Sequence, residues 1–535
     1  MGQVITEYKR SNNPWYMPKD VYPVSTKNSN NKPIKGFAVT ETTFIESDGK
    51  VYQGLDLFNR CIGFSYIAEN EYSFAKFLSN TLGEEKTKEL ISHQSIKVND
   101  SLISCQSRGL NYFDIRQGNK HGKIMIFNGP GRDAASCEMI AEQLFSSLNK
   151  IMHLPNLEPA IKVGERMLRE FCLPALFKTN EIDSVHLTKA VDAFDGGRIE
   201  VFDLGNYENV YSTDINAAYL SELQNLPNLS PKFVDWTDSA NYHDDALAGF
   251  LNCQIYLPKS KIGYLAFRMI TTDGRERLFF PNDTETIQTI TKTEYDMLIK
   301  HNVPVQIQSA SWAIPNTTID YPFRTLAAKI QEMADYPLLR QYRKNIYSKL
   351  WGKMASVTSL AYNPFYASEV TSRLRCRITE IALRHESSVL GIKVDSLQST
   401  DKLDEKMGNS FGEMRQDDDG NAILCNDFYT YYPNNKEEKN WFMGNKYICL
   451  KTSTIGIDDA MGEIYSTEDI GKVLEWDDDL GAPMLSQYGS SKRIFDLNIN
   501  KDDLEKGKYE TRSPSTLPEM KEVLKHWRGD ITELF

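Results

Sequence analysis

The sequence predicts a mixed α/β and α+β chain built from several domains, and three observations carry that expectation. Its 535 residues exceed what one hydrophobic core usually supports. Near 121–147, GKIMIF reads as a buried strand, NGPGRD as a loop and AASCEMIAEQLFSSL as a helix, the order of an α/β unit. Between 209 and 395 an acidic residue closing a strand, a basic helix and a second acidic residue on a strand follow one another, and these belong to a separate unit.

Composition narrows the class. Apolar residues make up 41% and charged residues 25%, the balance of an ordinary folded globular protein. No run approaches the length of a membrane span, and the start MGQVITEYKRSNNPWYMPKD lacks the apolar core of a secretory signal, so no membrane partner is expected. The eight cysteines are scattered singly, which argues against a zinc site or a disulfide scaffold and fits a reducing cytoplasm. A net charge of −12 lowers the odds of tight unassisted nucleic-acid binding, although a positive groove can coexist with an acidic exterior. The runs Asp417-Asp418-Asp419 and Asp477-Asp478-Asp479 read as solvated loops.

Taken in order, residues 1–35 are rich in Asn, Lys, Pro and Ser and read as a loosely held arm. GFAVTETTFIE and KVYQGLDLF flank Ser47-Asp48-Gly49, a hairpin signal. Helical patterns follow at 159–175. Asn209 to Thr213 reads as a strand closed by Asp214, and Ala217 to Gln224 as a helix ended by Leu226-Pro227. An Asp at such a junction can hold a hard cation while the amides after it face a polyphosphate, or it can simply cap the helix. Tyr342 to Ser356 reads as a helix with Ile346, Leu350 and Met354 as its buried stripe. Arg340, Lys344, Ser348 and Gly352 recur every four residues on another face. Two cations one turn apart can clamp phosphates, and a glycine in that row lets a flat ligand approach the backbone; a plain solvated basic face is the ordinary alternative. Val389 to Gln398 is strand-like around Asp395.

These segments resemble, in order and spacing, the motifs of family B DNA polymerases, and in particular the protein-primed enzymes of phages and linear plasmids. Asp214-Ile-Asn-Ala-Ala-Tyr219 is similar to motif A, Lys344-Asn-Ile-Tyr-Ser-Lys-Leu-Trp-Gly352-Lys353 to motif B, and Lys393-Val394-Asp395-Ser396 to motif C. The resemblance implies that Asp214, the main chain of Ile215 and Asp395 bind two catalytic Mg²⁺ ions, for which Mn²⁺ can substitute. It implies that Tyr219 rejects ribonucleotides, that Arg340 and Lys344 grip the triphosphate, and that Ser348, Trp351 and Gly352 lie near the nascent pair. Three positions depart from the family: Ser348 stands for Asn, Trp351 for Tyr, and Lys393 reverses the charge of the first motif C carboxylate. Phe194-Asp195-Gly196-Gly197 resembles the Tyr-x-Gly-Gly element, which implies template contact by Phe194, Gly196 and Gly197. Lys353 and Lys393 are expected at DNA, as is Lys451 in an element similar to Lys-x-Tyr, where Ser453 replaces the Tyr.

In the N-terminal part, Val39-Thr-Glu41 resembles the first editing motif with Val in place of the leading Asp, and Asn128 to Asp133 resembles the second. A two-metal nuclease cannot spare that carboxylate, so an RNase H-like, exonuclease-type fold without proofreading is expected.

The expected division is an arm at 1–35, an exonuclease-like domain at 36–190, palm at 191–330, fingers at 331–358, palm again at 359–450 and a small thumb at 451–535. The expected function is template-directed DNA synthesis on primer-template DNA from deoxynucleoside triphosphates, in viral or plasmid replication in a bacterial cytoplasm. A terminal or primer protein, or a processivity partner, is compatible with the resemblance. A primase-like or RNA-templated enzyme and a non-catalytic scaffold remain the rivals. Protein-primed relatives usually carry an insertion between motifs B and C, and the short interval from Gly352 to Asp395 argues against intrinsic strand displacement.

Overall fold

The computed structural model describes residues 4–5, 34–40, 42–62, 65–68, 71–93, 95–105, 112–126, 133–154, 157–172, 177, 181–270, 276–336, 339–356, 359–424, 428–433, 439–442, 446–447, 484–485 and 508–526. The arm lies mostly outside these residues, as do Glu41, Asn128, Lys451, Ser453 and Asp477 to Asp479.

The first unit is an eight-stranded sheet in which Ile34–Val39, Ser65–Ala68 and Lys120–Ile126 run parallel at the centre. The hairpin expected around Ser47-Asp48-Gly49 joins Thr43–Glu46 to Val51–Gln53. Helix Ala134–Ile151 begins at Asp133, whose carboxylate accepts from the Ser136 amide at 2.7 Å, and it buries Ala141, Leu144 and Leu148. The helix lies so close to the sheet that a Cβ on Gly36 would fall 1.9 Å from the Ala134 carbonyl oxygen. Phe37, Phe44, Phe74, Phe77 and Phe113 fill the other side.

The second unit is built on a sheet ordered Ile199–Val201, Val389–Lys393, Ser396–Ser399, Asp203–Ile215, Met414–Leu424, Phe428–Pro433 and Lys439–Phe442, with Lys508–Glu510 added to the start of Asp203–Ile215. Asp417 to Asp419 therefore lie in a strand, not a loop. Behind the sheet runs Pro364–Arg384, the most buried helix among the described residues. Asn363 caps it, accepting from the Tyr366 amide, and Pro364 occupies the first turn where its missing amide costs nothing. Between the two acidic segments the chain forms a second sheet from Val234–Asp238, Ala248–Leu257, Thr284–Thr291 and Val305–Pro315, edged by Val4–Ile5. Helices Ala160–Cys172 and Ser184–Asp192 bury their apolar faces in the core that also holds Ile215, Tyr219, Ile346 and Leu397.

The helix expected over Tyr342 to Ser356 is broken into Leu339–Tyr347 and Leu350–Ala355. At the break the Lys349 amide bonds three residues back to the Ile346 carbonyl at 3.1 Å, tightening the turn. The predicted stripe of Ile346, Leu350 and Met354 is nonetheless buried throughout. It packs where Ala160–Cys172 carries Gly164, since a Cβ there would lie 3.1 Å from Leu350 and 3.3 Å from Ile346.

Candidate polymerase-type active site

Asp214 is the penultimate residue of Asp203–Ile215, and Asp395 sits in the tight turn between Val389–Lys393 and Ser396–Ser399. The register sets Asp214 opposite Ser396, and the Ile215 amide donates to the Asp395 carbonyl at 2.9 Å. Two acidic residues separated by 181 positions in the chain thus meet at neighbouring strand ends.

The continuous strand expected through Asp395 is instead a sharp reversal. The Asp395 amide donates to the Lys393 carbonyl at 2.8 Å across Val394, whose φ is 59°. A three-residue turn at positive φ is strained, and more so on a β-branched side chain, by about 1–3 kcal/mol. Its surroundings hold it. The Val394 amide donates to the Arg198 carbonyl at 2.7 Å, and the Arg198 side chain is fully buried, bonding Glu200 at 2.6 Å and Thr379 at 2.8 Å. Ala217, three residues beyond Asp214, is also left-handed, at φ 49°. Strain thus sits on both sides of the carboxylate pair, as it does at sites whose geometry is fixed by their surroundings.

The segment Phe194 to Gly197 packs against this turn. A Cβ on Gly197 would lie 2.9 Å from Val394 and 3.0 Å from the Tyr219 hydroxyl, so only glycine fits. Gly196 is different, because the nearest atom to such a carbon is 3.9 Å away. Arg375, buried within Pro364–Arg384, donates to the carbonyls of Asp195 and Gly196 and reaches Glu294 at 2.6 Å. Arg268 pairs with Asp195 at 2.5 Å. Sequence reasoning missed both arginines, since nothing local links them to the segment they hold.

Three of the expected residues come together in one aromatic stack. Tyr219 and Trp351 lie with ring centroids 5.1 Å apart at 26°, and Phe194 follows 6.2 Å from Trp351. Arg340 and Lys344 are exposed, and among the described residues neither makes an ion pair. Ser348 is half-buried at the helix break. A Cβ on Gly352 would meet nothing within 4 Å. A helical glycine costs roughly 1 kcal/mol against alanine, and here no protein atom requires it. Lys353 is paired, with its ammonium 3.1 Å from Glu165.

Arg415 lies at Asp214, Tyr347 is within electrostatic reach of both carboxylates, and Arg343 is within reach of Tyr347. Arg415 stands opposite Asp214 on the next strand, its guanidinium 3.5 Å from Asp214 Oδ2. Tyr347 is half-buried, and its phenol is pushed up chiefly by burial, with Arg343 and Arg415 pulling it down and Asp214 and Asp395 pushing it up. The Arg343 guanidinium lies 6.0 Å from the Phe411 ring centroid, and Phe411 also neighbours Tyr347. Arg343 and Tyr347 share a helical row with Trp351, a signal that was available in the sequence. Only strand register could reveal Arg415.

Among the described residues no group of three or more His, Cys, Asp or Glu side chains could hold a metal ion by itself. Two carboxylates with a main-chain carbonyl are instead a set that suits Mg²⁺, which keeps water and substrate oxygens among its ligands.

The two-unit mixed α/β architecture matches a DNA polymerase fold over about three quarters of the chain. Among solved structures the chain is similar to Phi29 DNA polymerase. The orthorhombic crystal form of that protein matches with a TM-score of 0.51 and 12% identity, over 74% of this chain and 87% of that one. Its complex with primer-template DNA and incoming nucleotide substrates matches with a TM-score of 0.52 and 12% identity, over 76% of this chain and 91% of that one. At this identity the likeness is one of fold. No family model and no curated protein matches the chain. Among the described residues no helix is long and apolar enough to cross a membrane.

Proposed function

We propose that this chain is a template-directed DNA polymerase that joins deoxynucleotides to a primer 3′-hydroxyl and releases pyrophosphate. The observation that carries this reading is the meeting of Asp214 and Asp395 at neighbouring strand ends. Nearby, Tyr219 stacks on Trp351, and Arg340 and Lys344 are exposed on the helix whose Tyr347 is within electrostatic reach of both carboxylates. Its fold neighbour has been captured with primer-template DNA and incoming nucleotide substrates.

In this reading Asp214, the Ile215 carbonyl and Asp395 hold two Mg²⁺ ions. Bound there, such ions lower the pKa of an attacking hydroxyl and stabilise charge on a leaving oxygen. The protein's own part is positioning and charge. Lys344 and Arg340 neutralise the triphosphate, Tyr219 closes the space a 2′-hydroxyl would need, and Gly352 leaves its backbone open to the nascent pair. Phe194 to Gly197 and Lys393 contact the DNA, as does Lys451. We assign the segments before and after residue 190 to an exonuclease-like domain without proofreading and to a palm with inserted fingers. The work is viral or plasmid replication, with primer supplied by a protein or an oligonucleotide.

The test is a gel-based extension assay with Mg²⁺ on primed DNA, unprimed DNA and primed RNA. Extension of primed DNA is expected. Extension only of unprimed DNA or of primed RNA would assign the chain to the primase-like or RNA-templated reading. No extension of any substrate would leave the scaffold.

A further inference from the structure

Five residues of the second unit's sheet stand in one cross-strand row. Ile199 is opposite Lys393, Lys393 opposite Ser396, Ser396 opposite Asp214, and Asp214 opposite Arg415. Directly opposed residues project to the same face. Asp214 therefore has a cation on either side, Arg415 about 5 Å away on the next strand and Lys393 about 10 Å away across two. Arg415 is the closer partner, with its guanidinium 3.5 Å from Asp214 Oδ2 and roughly half of the side chain exposed to solvent.

A cation on a carboxylate meant for divalent ions works against their binding, and fold stability does not account for it. An exposed pair of this kind contributes at most about 1 kcal/mol. The surroundings supply a different account. Arg343 approaches from Leu339–Tyr347, and the Tyr347 phenol lies within electrostatic reach of Arg343, Arg415, Asp214 and Asp395 together. Two guanidiniums, Arg415 from the sheet and Arg343 from the helix, thus lie within electrostatic reach of the phenol that both carboxylates also influence. Each can offer paired N–H groups to a phosphate.

We propose that Arg415 is an exchangeable anion-binding residue of this site. It holds Asp214 before the nucleotide arrives and passes to a non-bridging oxygen of the metal-chelated triphosphate when the nucleotide enters. The inference rests on the polymerase reading above. It favours the triphosphate over a DNA phosphate because Arg415 adjoins Asp214, the residue this reading gives to the metal-chelated nucleotide. Lys393 stands at the far end of the row. The carboxylates offset part of the charge of the chelating cations, which leaves the triphosphate under-neutralised, and Arg415 supplies the difference.

Arg415→Gln and Arg415→Lys, both at a half-exposed position, test this by two titrations. One follows Mn²⁺ binding without nucleotide by electron paramagnetic resonance. The other follows Mg²⁺-dATP binding calorimetrically to protein on a primer-template with a dideoxy terminus. Removing a pair and a contact of about 1 kcal/mol each changes affinity several-fold. Arg415→Gln should therefore bind Mn²⁺ about fivefold more tightly and Mg²⁺-dATP about fivefold less tightly, with primed DNA unaffected and Arg415→Lys in between. Unchanged affinities in Arg415→Gln overturn the proposal, as does weaker primed-DNA binding with intact Mg²⁺-dATP affinity. If the unsubstituted protein binds no Mg²⁺-dATP, the polymerase reading itself fails, which is recognisable because no Arg415 variant then differs in that titration.

Discussion

The Ile215 amide donates to the Asp395 carbonyl at 2.9 Å, tying the strand that carries one acidic residue to the turn that carries the other. Because the backbone fixes this pairing, the two carboxylates can be removed one at a time without dismantling the sheet. Asp214→Asn and Asp395→Asn should each abolish Mg²⁺-dependent primer extension while retaining the native circular dichroism and melting temperature. Groups that act as a unit are not additive, so the double variant should be no worse than either single one. Appreciable extension by a folded single variant would sink the two-metal assignment.

The contact of Gly197 with Tyr219 and Val394 separates two adjacent glycines. Gly197→Ala drives a methyl to within 3.0 Å of the Tyr219 hydroxyl and 2.9 Å of Val394, whereas Gly196→Ala meets nothing closer than 3.9 Å. We expect Gly197→Ala to lower extension by an order of magnitude or more, about 1.4 kcal/mol of barrier, and Gly196→Ala to change it little. Equal behaviour of the two variants would show that the packing does not matter to the site.

Tyr219 stacked on Trp351 gives the sugar-discrimination test its geometry. Tyr219→Val should raise incorporation of ribonucleotides relative to deoxynucleotides in single-nucleotide extension. If the unsubstituted protein already uses both sugars equally, the role assigned to the ring is wrong.

Lys393 no longer shares a continuing strand with Asp395, but the cross-strand row still turns it toward the face that carries Asp214. Lys393→Ala should weaken primed-DNA binding and flatten its salt dependence by roughly one phosphate contact. An unchanged slope in a salt titration of DNA affinity would leave the lysine without a role there.

Glu158 provides a stability test that is independent of chemistry. Burial acts to raise its carboxyl, yet the hydrogen bond from Arg166 and the charge of Lys123 outweigh that and hold it below the usual carboxylate range. Its contribution is thus complete above the unfolded value of about 4.3 and fades as pH falls through the lower folded one. Glu158→Gln should cost about 1–3 kcal/mol at neutral pH, with the gap in melting temperature closing below about pH 4. A gap independent of pH would refute the charge pairing.

Much of the candidate site's geometry was legible because the segments that meet there carry local patterns. Asp214, Tyr219, Trp351 and Asp395 sit in short segments whose order and spacing identify them, and the buried stripe of Ile346, Leu350 and Met354 follows from helical periodicity. The errors arose where a local pattern is broken by packing. One helix became two at Ser348 and Lys349, and a strand became a reversal at Val394. Propensity assigns Val394 to an extended strand. The Arg198 carbonyl and the space left by Gly197 hold it otherwise.

The sequence by itself determined the mixed fold class, the DNA polymerase resemblance and most of the residues that the fold gathers, since periodicity and motif spacing are properties of the chain. Tertiary structure decided the rest. Strand register placed Arg415 on Asp214, 201 residues away, and Lys393 in the same row. The buried Arg375 side chain donates to the Asp195 and Gly196 carbonyls, and the Arg198 carbonyl accepts from the Val394 amide, pairings that no local pattern connects. Such pairings depend on which strands lie side by side, and that is settled by the burial of a common core, not by any neighbourhood in the sequence.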